Sequence, residues 1–240
     1  MRALIVDDER LARGALRRLL KSHRDLEIVG EASNADEALR GIRKFNPDVI
    51  FLDVEMPGCN GFELLERLDD VPIVIFTTAY DAYAVRAFEA SAIDYLVKPI
   101  SAERLGASLA RAQKALASIS RESAQAPPGE PTLHQIFVRD GEHCWIVRLA
   151  DIVLMESEGN YTRLQFGADA PLIYRSLSAI EERLNPTVFF RANRSQIINL
   201  RWIENVETEI DGRLVVKLPK GRQVEISRRQ SRRLKELLSL

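Results

Sequence analysis

Several short stretches in the first hundred residues are apolar without a break: Ala3-Leu4-Ile5-Val6, Val49-Ile50-Phe51-Leu52, Ile73-Val74-Ile75-Phe76 and Tyr95-Leu96-Val97. A strand with one wet face alternates apolar and polar residues, and these do not. Both faces must therefore be covered, which is how strands of a parallel sheet between helices read. Helical spacing fills the intervals, at Leu11/Ala15/Leu16/Leu19 and Leu64/Leu65/Leu68. Further helices are expected near 34–45, 81–90 and 101–118, and Asn34 with Glu37 suits a capping box at the start of the first of these. Five β-then-α units imply right-handed crossovers, hence a parallel sheet with helices on both faces.

Each apolar run ends on a residue with usable chemistry. Asp7 and Asp8 follow the first, Asp53 closes the second, Thr78 ends the third, and Lys98 follows the fourth. In an open parallel sheet these ends share one edge, where ligands bind. Mg²⁺ takes oxygen ligands and commonly rests on one or two carboxylates plus a phosphate, so Asp7, Asp8 and Asp53 form a candidate cation site. Asp53 is also a candidate nucleophile, because carboxylates form acyl-phosphate intermediates. Metal and Lys98 together would neutralise a transferring phosphoryl group, and the Thr78 hydroxyl would hydrogen-bond one of its oxygens. Singly, each residue has an ordinary reading: helix capping for Asp7 and Asp8, a turn acid at Asp53, a plain strand residue at Thr78, a solvated charge at Lys98. Their joint placement at successive strand ends favours the chemical reading.

The charge is divided unevenly along the 240 residues. Residues 1–133 hold 17 Lys/Arg against 21 Asp/Glu, residues 134–240 hold 17 against 14, and 217–240 hold 8 against 2. An acidic front and a basic tail suggest two modules, the second facing an anionic polymer. The segment 119–133, polar and proline-rich, separates them as a linker. Beyond it the pattern turns to short β runs at 136–138, 145–147, 152–155, 161–166, 172–174, 196–199, 203–207, 213–218 and 223–226, with Asp140-Gly141 and Asp211-Gly212 as turns. Helices are expected at 177–184 and 228–238. Trp145 and Tyr161 are read as core residues. Cys59 and Cys144 are expected as separate thiols, which with the lack of an apolar membrane or signal segment suits the cytoplasm. His23, His134 and His143 lack neighbours at metal-ligand spacing, and no glycine-rich phosphate loop is present.

Residues 1–118 resemble the receiver domain of two-component response regulators. The resemblance lies in Val6-Asp7-Asp8-Glu9, Leu52-Asp53-Val54-Glu55-Met56-Pro57, Thr77-Thr78-Ala79 and Asp94-Tyr95-Leu96-Val97-Lys98-Pro99. It implies an α/β flavodoxin-like, doubly wound five-stranded parallel sheet in which Asp53 accepts a phosphoryl group from a sensor histidine kinase with Mg²⁺. Asp8 and Asp53 would be side-chain ligands, Glu55 a backbone-carbonyl ligand, and Asp7 would position the metal waters. Thr78 and Tyr95 would be the switch pair that alters the face around the helices at 81–90 and 101–118.

Residues 134–240 resemble a LytTR DNA-binding domain, a small β-rich fold. The matching residues are Met155-Glu156-Ser157-Glu158-Gly159-Asn160-Tyr161-Thr162, Phe189-Phe190-Arg191-Ala192-Asn193-Arg194-Ser195, Asn199 and Ile226-Ser227-Arg228-Arg229-Gln230. The segment 79–88 also resembles receivers paired with this output. The resemblance implies contact with double-stranded DNA through Asn160, Thr162, Arg163, Asn193, Arg194, Arg228 and Arg229. Many members carry His where this chain has Asn193, which bears on the preferred sequence. For Arg232, Arg233 and Lys235 a solvated helix face competes with DNA contact.

The expectation is a cytoplasmic regulator, not an enzyme beyond its own phosphotransfer, that pairs as a homodimer on phosphorylation and controls transcription. Two rivals stay open at this level. An aspartyl-phosphate phosphatase would call for Asp-x-Asp after the first strand, whereas Asp7-Asp8-Glu9 stands here. A protein- or RNA-binding output is the other.

Overall fold

The computed structural model describes residues 1–79, 94–123, 133–141, 143–209 and 213–238. The helix expected at 81–90, the resemblance at 80–88 and the Asp211-Gly212 turn lie outside the described residues. The chain divides into two compact units, Met1–Gln125 with Gln135–Ile146, and Ala126–His134 with Val147–Leu240.

In the first unit, β1 (Arg2–Val6), β2 (Glu27–Ala32), β3 (Val49–Asp53), β4 (Ile73–Thr78) and β5 (Asp94–Val97) form one parallel sheet in the order β2-β1-β3-β4-β5. Residues of β3 and β4 are buried throughout, as uninterrupted apolar runs require. Helices α1 (Arg10–Leu20), α2 (Ala35–Phe45), α3 (Gly61–Glu66) and α4 (Ala102–Ser123) cover the sheet. Two cores result. One joins Leu4, Ile50, Leu52 and Val74 to α2 and α3, and the other joins Ile5, Phe51, Ile75 and Leu96 to α1 and α4.

Local capping follows the sequence with one exchange. Asn34 Oδ1 accepts from the Glu37 amide (2.9 Å), but Glu37 turns to the backbone and hydroxyl of Ser33. The complete reciprocal capping box is at α3, between Asn60 and Glu63. Helix α4 runs through Ser123, so residues 119–123 are helical and not linker as expected. The cause is the stripe Leu105, Leu109, Ala112, Leu116 and Ile119, which packs on the sheet and carries the helix on. In the same unit β6 (Gln135–Asp140) lies against α3. Phe137 stacks on Phe62 at 6.3 Å, Arg139 pairs with Glu66, and the Gln135 carbonyl accepts from the Val71 amide. β6 pairs with β7 (His143–Arg148) in a two-stranded sheet.

The second unit is β-rich. A five-stranded sheet orders β10 (Leu172–Ile173), β9 (Tyr161–Phe166), β8 (Ile152–Glu158), β12 (Gln196–Asn199) and β11 (Phe189–Asn193). A three-stranded sheet joins β13 (Asn205–Thr208), β14 (Leu214–Leu218) and β15 (Arg222–Ile226). Val153, Phe190, Ile198, Leu214, Val216, Val224 and Leu234 form its core. Helix α5 (Leu177–Glu181) is shorter than expected, and α6 (Arg228–Leu238) spans the expected residues with Leu234 as its buried anchor.

Candidate functional site

The acidic edge of the first unit lies where β1 and β3 run side by side and the strand order reverses, so the loops after them part and leave a crevice. Asp7, Asp8 and Asp53 each bring a carboxylate oxygen within 4.8 Å of the others. Lys98 Nζ reaches between two of them, 2.8 Å from Asp7 Oδ2 and 2.7 Å from Asp53 Oδ2. The remaining oxygens take backbone donors: Glu9 N to Asp7 Oδ1 at 2.9 Å and Glu55 N to Asp53 Oδ1 at 3.3 Å. Arg13 holds the strand end from behind, its Nη1 donating to the carbonyls of Asp7 (2.6 Å) and Asp8 (3.1 Å). The site opens into a pocket of about 500 Å³ lined by Asp8, Asp53, Glu55, Met56, Asn60 and Lys98 among others.

Burial pushes the Asp53 carboxyl above the usual carboxylate range, and the Asp7 charge adds to this. The Lys98 hydrogen bond and charge and the Glu55 amide offset only part of it. Burial alone would depress the Lys98 ammonium, but its hydrogen bonds to Asp53 and Asp7 override that and raise it. The two shifts oppose each other in consequence: the cation is secured, and the carboxylate pays for its setting. A carboxyl with a raised value binds its proton more tightly in the folded than in the unfolded chain. Ionising Asp53 therefore costs stability as pH rises above the ordinary carboxylate value of about 4. Asp53→Asn removes that cost, so its melting temperature relative to wild type is expected to climb from acid pH toward neutrality and then level off. Paired thermal melts across that range check this, and a flat difference contradicts it.

Gly61 sets the depth of the acidic edge. A Cβ there would meet the Asp53 carbonyl at 2.5 Å and Leu52 Cγ at 3.2 Å, so α3 can start this close to β3 only without a side chain. Gly61→Ala is expected to lose about 1–3 kcal/mol, measured by urea unfolding, through the overpacking this forces.

In the second unit three loops meet at one end of the five-stranded sheet. The β8–β9 hairpin pairs Glu158 with Tyr161 and carries exposed Asn160. The β11–β12 turn carries exposed Arg194, and its Ser195 carbonyl accepts from Ser157 N of β8 at 2.8 Å. The start of α6 is tied to the same turn, since Ser227 N donates to the Ala192 carbonyl (2.9 Å) and Asn193 Nδ2 to the Glu225 carbonyl (2.9 Å). Arg228 and Arg229 are exposed there, as are Arg232, Arg233 and Lys235 further along the helix.

Comparison with known proteins identifies both units. The response regulator receiver domain model matches residues 3–110, and the LytTr DNA-binding domain model matches 142–239. The transcriptional regulatory protein BtsR of Escherichia coli is 35% identical, with all of both chains aligned. This chain belongs to the two-component response regulators with a LytTR domain. The sensory transduction protein LytT of Bacillus subtilis is 32% identical over the full length of both. The response regulatory domain of protein mrkE from Klebsiella pneumoniae is similar in structure, at 33% identity and TM-score 0.44, over 49% of the regulator and 99% of that chain. The regulator acts in a two-component system and controls transcription.

Within the regulator, the residues expected at the first site come together. Asp7, Asp8, Asp53 and Lys98 share the edge, Thr78 is buried at the end of β4, and its carbonyl accepts from Lys98 N at 2.7 Å. Tyr95 is half-buried on the neighbouring strand. Sequence alone does not single out Arg13; its place in the first turn of α1, just beyond the acidic pair, is the signal for it. The residues expected to contact DNA divide by exposure and by hydrogen bonding within the domain. Thr162 is wholly buried, with its hydroxyl donated to the Arg175 carbonyl (2.8 Å). Arg163 is held by Glu158 and by the Ala170 carbonyl (2.8 Å). The Asn193 amide is occupied inside the domain at both its oxygen and its nitrogen. Asn160, Arg194, Arg228 and Arg229 are the expected residues that face outward. Tyr161, expected in the core, is 45% exposed and meets exposed Tyr174 edge-on at 5.2 Å, on β9 next to the short edge strand β10. Trp145 is half-buried and stacks on His143. Both cysteines are free thiols. No helix among the described residues is long and apolar enough to cross a membrane.

Proposed function

We propose that Asp53 is the phosphoacceptor of this regulator and that its phosphorylation controls DNA binding by the second unit. The observation that carries this is the Lys98 ammonium lodged between Asp7 and Asp53 at the mouth of an open pocket. An oxygen of Asp53 attacks the phosphorus of a kinase phosphohistidine, the P–N bond breaks with its electron pair passing to the ring nitrogen, and the ring, already protonated at its other nitrogen, leaves as neutral imidazole. Lys98 follows the charge from carboxylate to phosphoryl oxygen, and the Thr78 hydroxyl moves to a second oxygen. The all-oxygen donor set fits a hard cation: Asp8, Asp53 and the Glu55 carbonyl would hold Mg²⁺, with Asp7 on its waters. Bound there, Mg²⁺ supplies neutralisation of phosphoryl charge.

Thr78 displacement leaves room for Tyr95 to turn inward, which biases the surface on which two receivers pair. Pairing places two basic end surfaces on adjacent half-sites of duplex DNA, and the second contact becomes intramolecular. Asn160, Arg194, Arg228 and Arg229 make that contact, with Thr162, Arg163 and Asn193 supporting it from within the domain. The protein works in the cytoplasm with a sensor histidine kinase as partner. Sedimentation velocity with Mg²⁺, with and without acetyl phosphate, tests the pairing step. A shift from monomer to dimer on treatment is expected, and an unchanged coefficient for a protein that has taken up phosphate contradicts it.

A further inference from the structure

The turn that carries Arg194 outward is pinned at every carbonyl. Arg191, on β11, donates from Nε to the Asn193 carbonyl (2.7 Å) and from Nη2 to the Arg194 carbonyl (2.5 Å). Its remaining direction is taken by Glu181 of α5, with Nη1 to Oε2 at 2.9 Å. The Ser195 carbonyl is held by Ser157 N. Asn193 closes the turn from inside: its Oδ1 accepts from Ser195 N (2.9 Å) and Oγ (3.0 Å), and its Nδ2 reaches Gln196 Oε1 (2.8 Å) and the Glu225 carbonyl (2.9 Å). Gln196 is in turn fixed by Glu156 at 2.8 Å.

The Arg191 side chain is only 16% exposed, although it sits beside the most outward residue of the turn. Its charge is directed at the backbone and at Glu181, away from a partner. A guanidinium can grip two successive carbonyls while pairing with a carboxylate, because its five donors form a rigid planar fork. A lysine ammonium is a single flexible point and cannot. The cost of ordering a reading loop is then met within the folded domain, and binding does not have to meet it.

We propose that Arg191, oriented by Glu181, is a positioning residue for DNA recognition that fixes the 193–195 turn so that Arg194 meets the duplex in one orientation. This rests on the reading that the turn faces DNA. Asn193 belongs to the same device, so the residue at this position governs specificity by shaping the turn and not by touching a base.

The test uses the full chain. Duplexes are enriched from a random library by the wild-type protein, and affinities for an enriched duplex and a scrambled one are measured by fluorescence anisotropy for wild type, Arg191→Lys, Arg191→Gln and Glu181→Gln. Arg191→Lys is expected to lower the preference for the enriched duplex by about tenfold, the scale of one well-placed base contact. Its affinity for the scrambled duplex, its salt dependence and its melting temperature should stay near wild type. Glu181→Gln should move the preference in the same direction by less. Should Arg191→Gln fail to fold, Arg191→Lys keeps the charge and carries the test. An unchanged preference in Arg191→Lys overturns the inference, as does an equal loss on both duplexes with a lowered melting temperature, which marks a purely structural residue. A reduced salt slope marks direct phosphate contact and also overturns it. A wild-type chain that enriches no duplex overturns the DNA reading itself, a result distinct from a wild type that selects and a variant that matches it.

Discussion

Asp53→Asn protein is expected to take up no phosphoryl group from acetyl phosphate and Mg²⁺, while wild type gains one, measured by intact-mass spectrometry. The difference should be all-or-none, because the amide lacks the nucleophilic oxygen pair and the other two acids are differently placed. Asp7 is buried with its oxygens committed to Lys98 and the Glu9 amide, and the Asp8 carboxylate would be engaged by Mg²⁺ in the same acidic cluster. Lys98→Ala is expected to keep some acceptance but at a rate lower by two or more powers of ten, since removing one preorganised charge from such a site costs about 10²–10³ in rate. Phosphate appearing on the Asp53→Asn protein would move the acceptor elsewhere.

The second large effect concerns the basic end of the LytTR unit. Replacing Arg194, Arg228 and Arg229 together with alanine is expected to reduce DNA affinity by several powers of ten at moderate salt. The slope of log affinity against log salt should also shrink by about 1 for each arginine that lay on a phosphate. Arg163→Ala is the contrasting variant. Its guanidinium is already engaged by Glu158 and the Ala170 carbonyl, so its loss should leave the salt slope unchanged. Salt titrations of both variants decide the matter, and equal slopes for wild type and the triple variant would remove these arginines from the interface.

Much of the first unit was legible because its signals are additive along the chain. Apolar runs gave buried parallel strands, and a parallel sheet brings strand ends to one edge without any knowledge of the loops. Asp7, Asp53 and Lys98, up to 91 positions apart, could therefore be grouped from sequence alone. Strand β2 was less visible. Glu27, Gly30 and Glu31 interrupt its apolar pattern, and Gly30 is there because Phe45 packs so close that a Cβ would lie 2.9 Å from its ring. The extension of α4 past 118 was hidden by polar residues among which only Ile119 continues the buried stripe.

The second site was less legible for a different reason. Whether Thr162, Arg163 or Asn193 faces a partner or the domain depends on hydrogen bonds across strands, to Arg175, Glu158 and Glu225, and side-chain type alone does not disclose those. The same holds for Tyr161, whose exposure next to the edge strand β10 is likewise not disclosed by side-chain type.

Phosphorylation of Asp53 is proposed to set the affinity of the LytTR unit for DNA. This is tested most directly by measuring the affinity of the full chain for a selected duplex before and after treatment with beryllofluoride and Mg²⁺, in wild type and in Asp53→Asn. Tighter binding in the treated wild type, with no change in Asp53→Asn, is the predicted result. Equal affinities for treated and untreated wild type, at concentrations where the receiver is saturated, would contradict it.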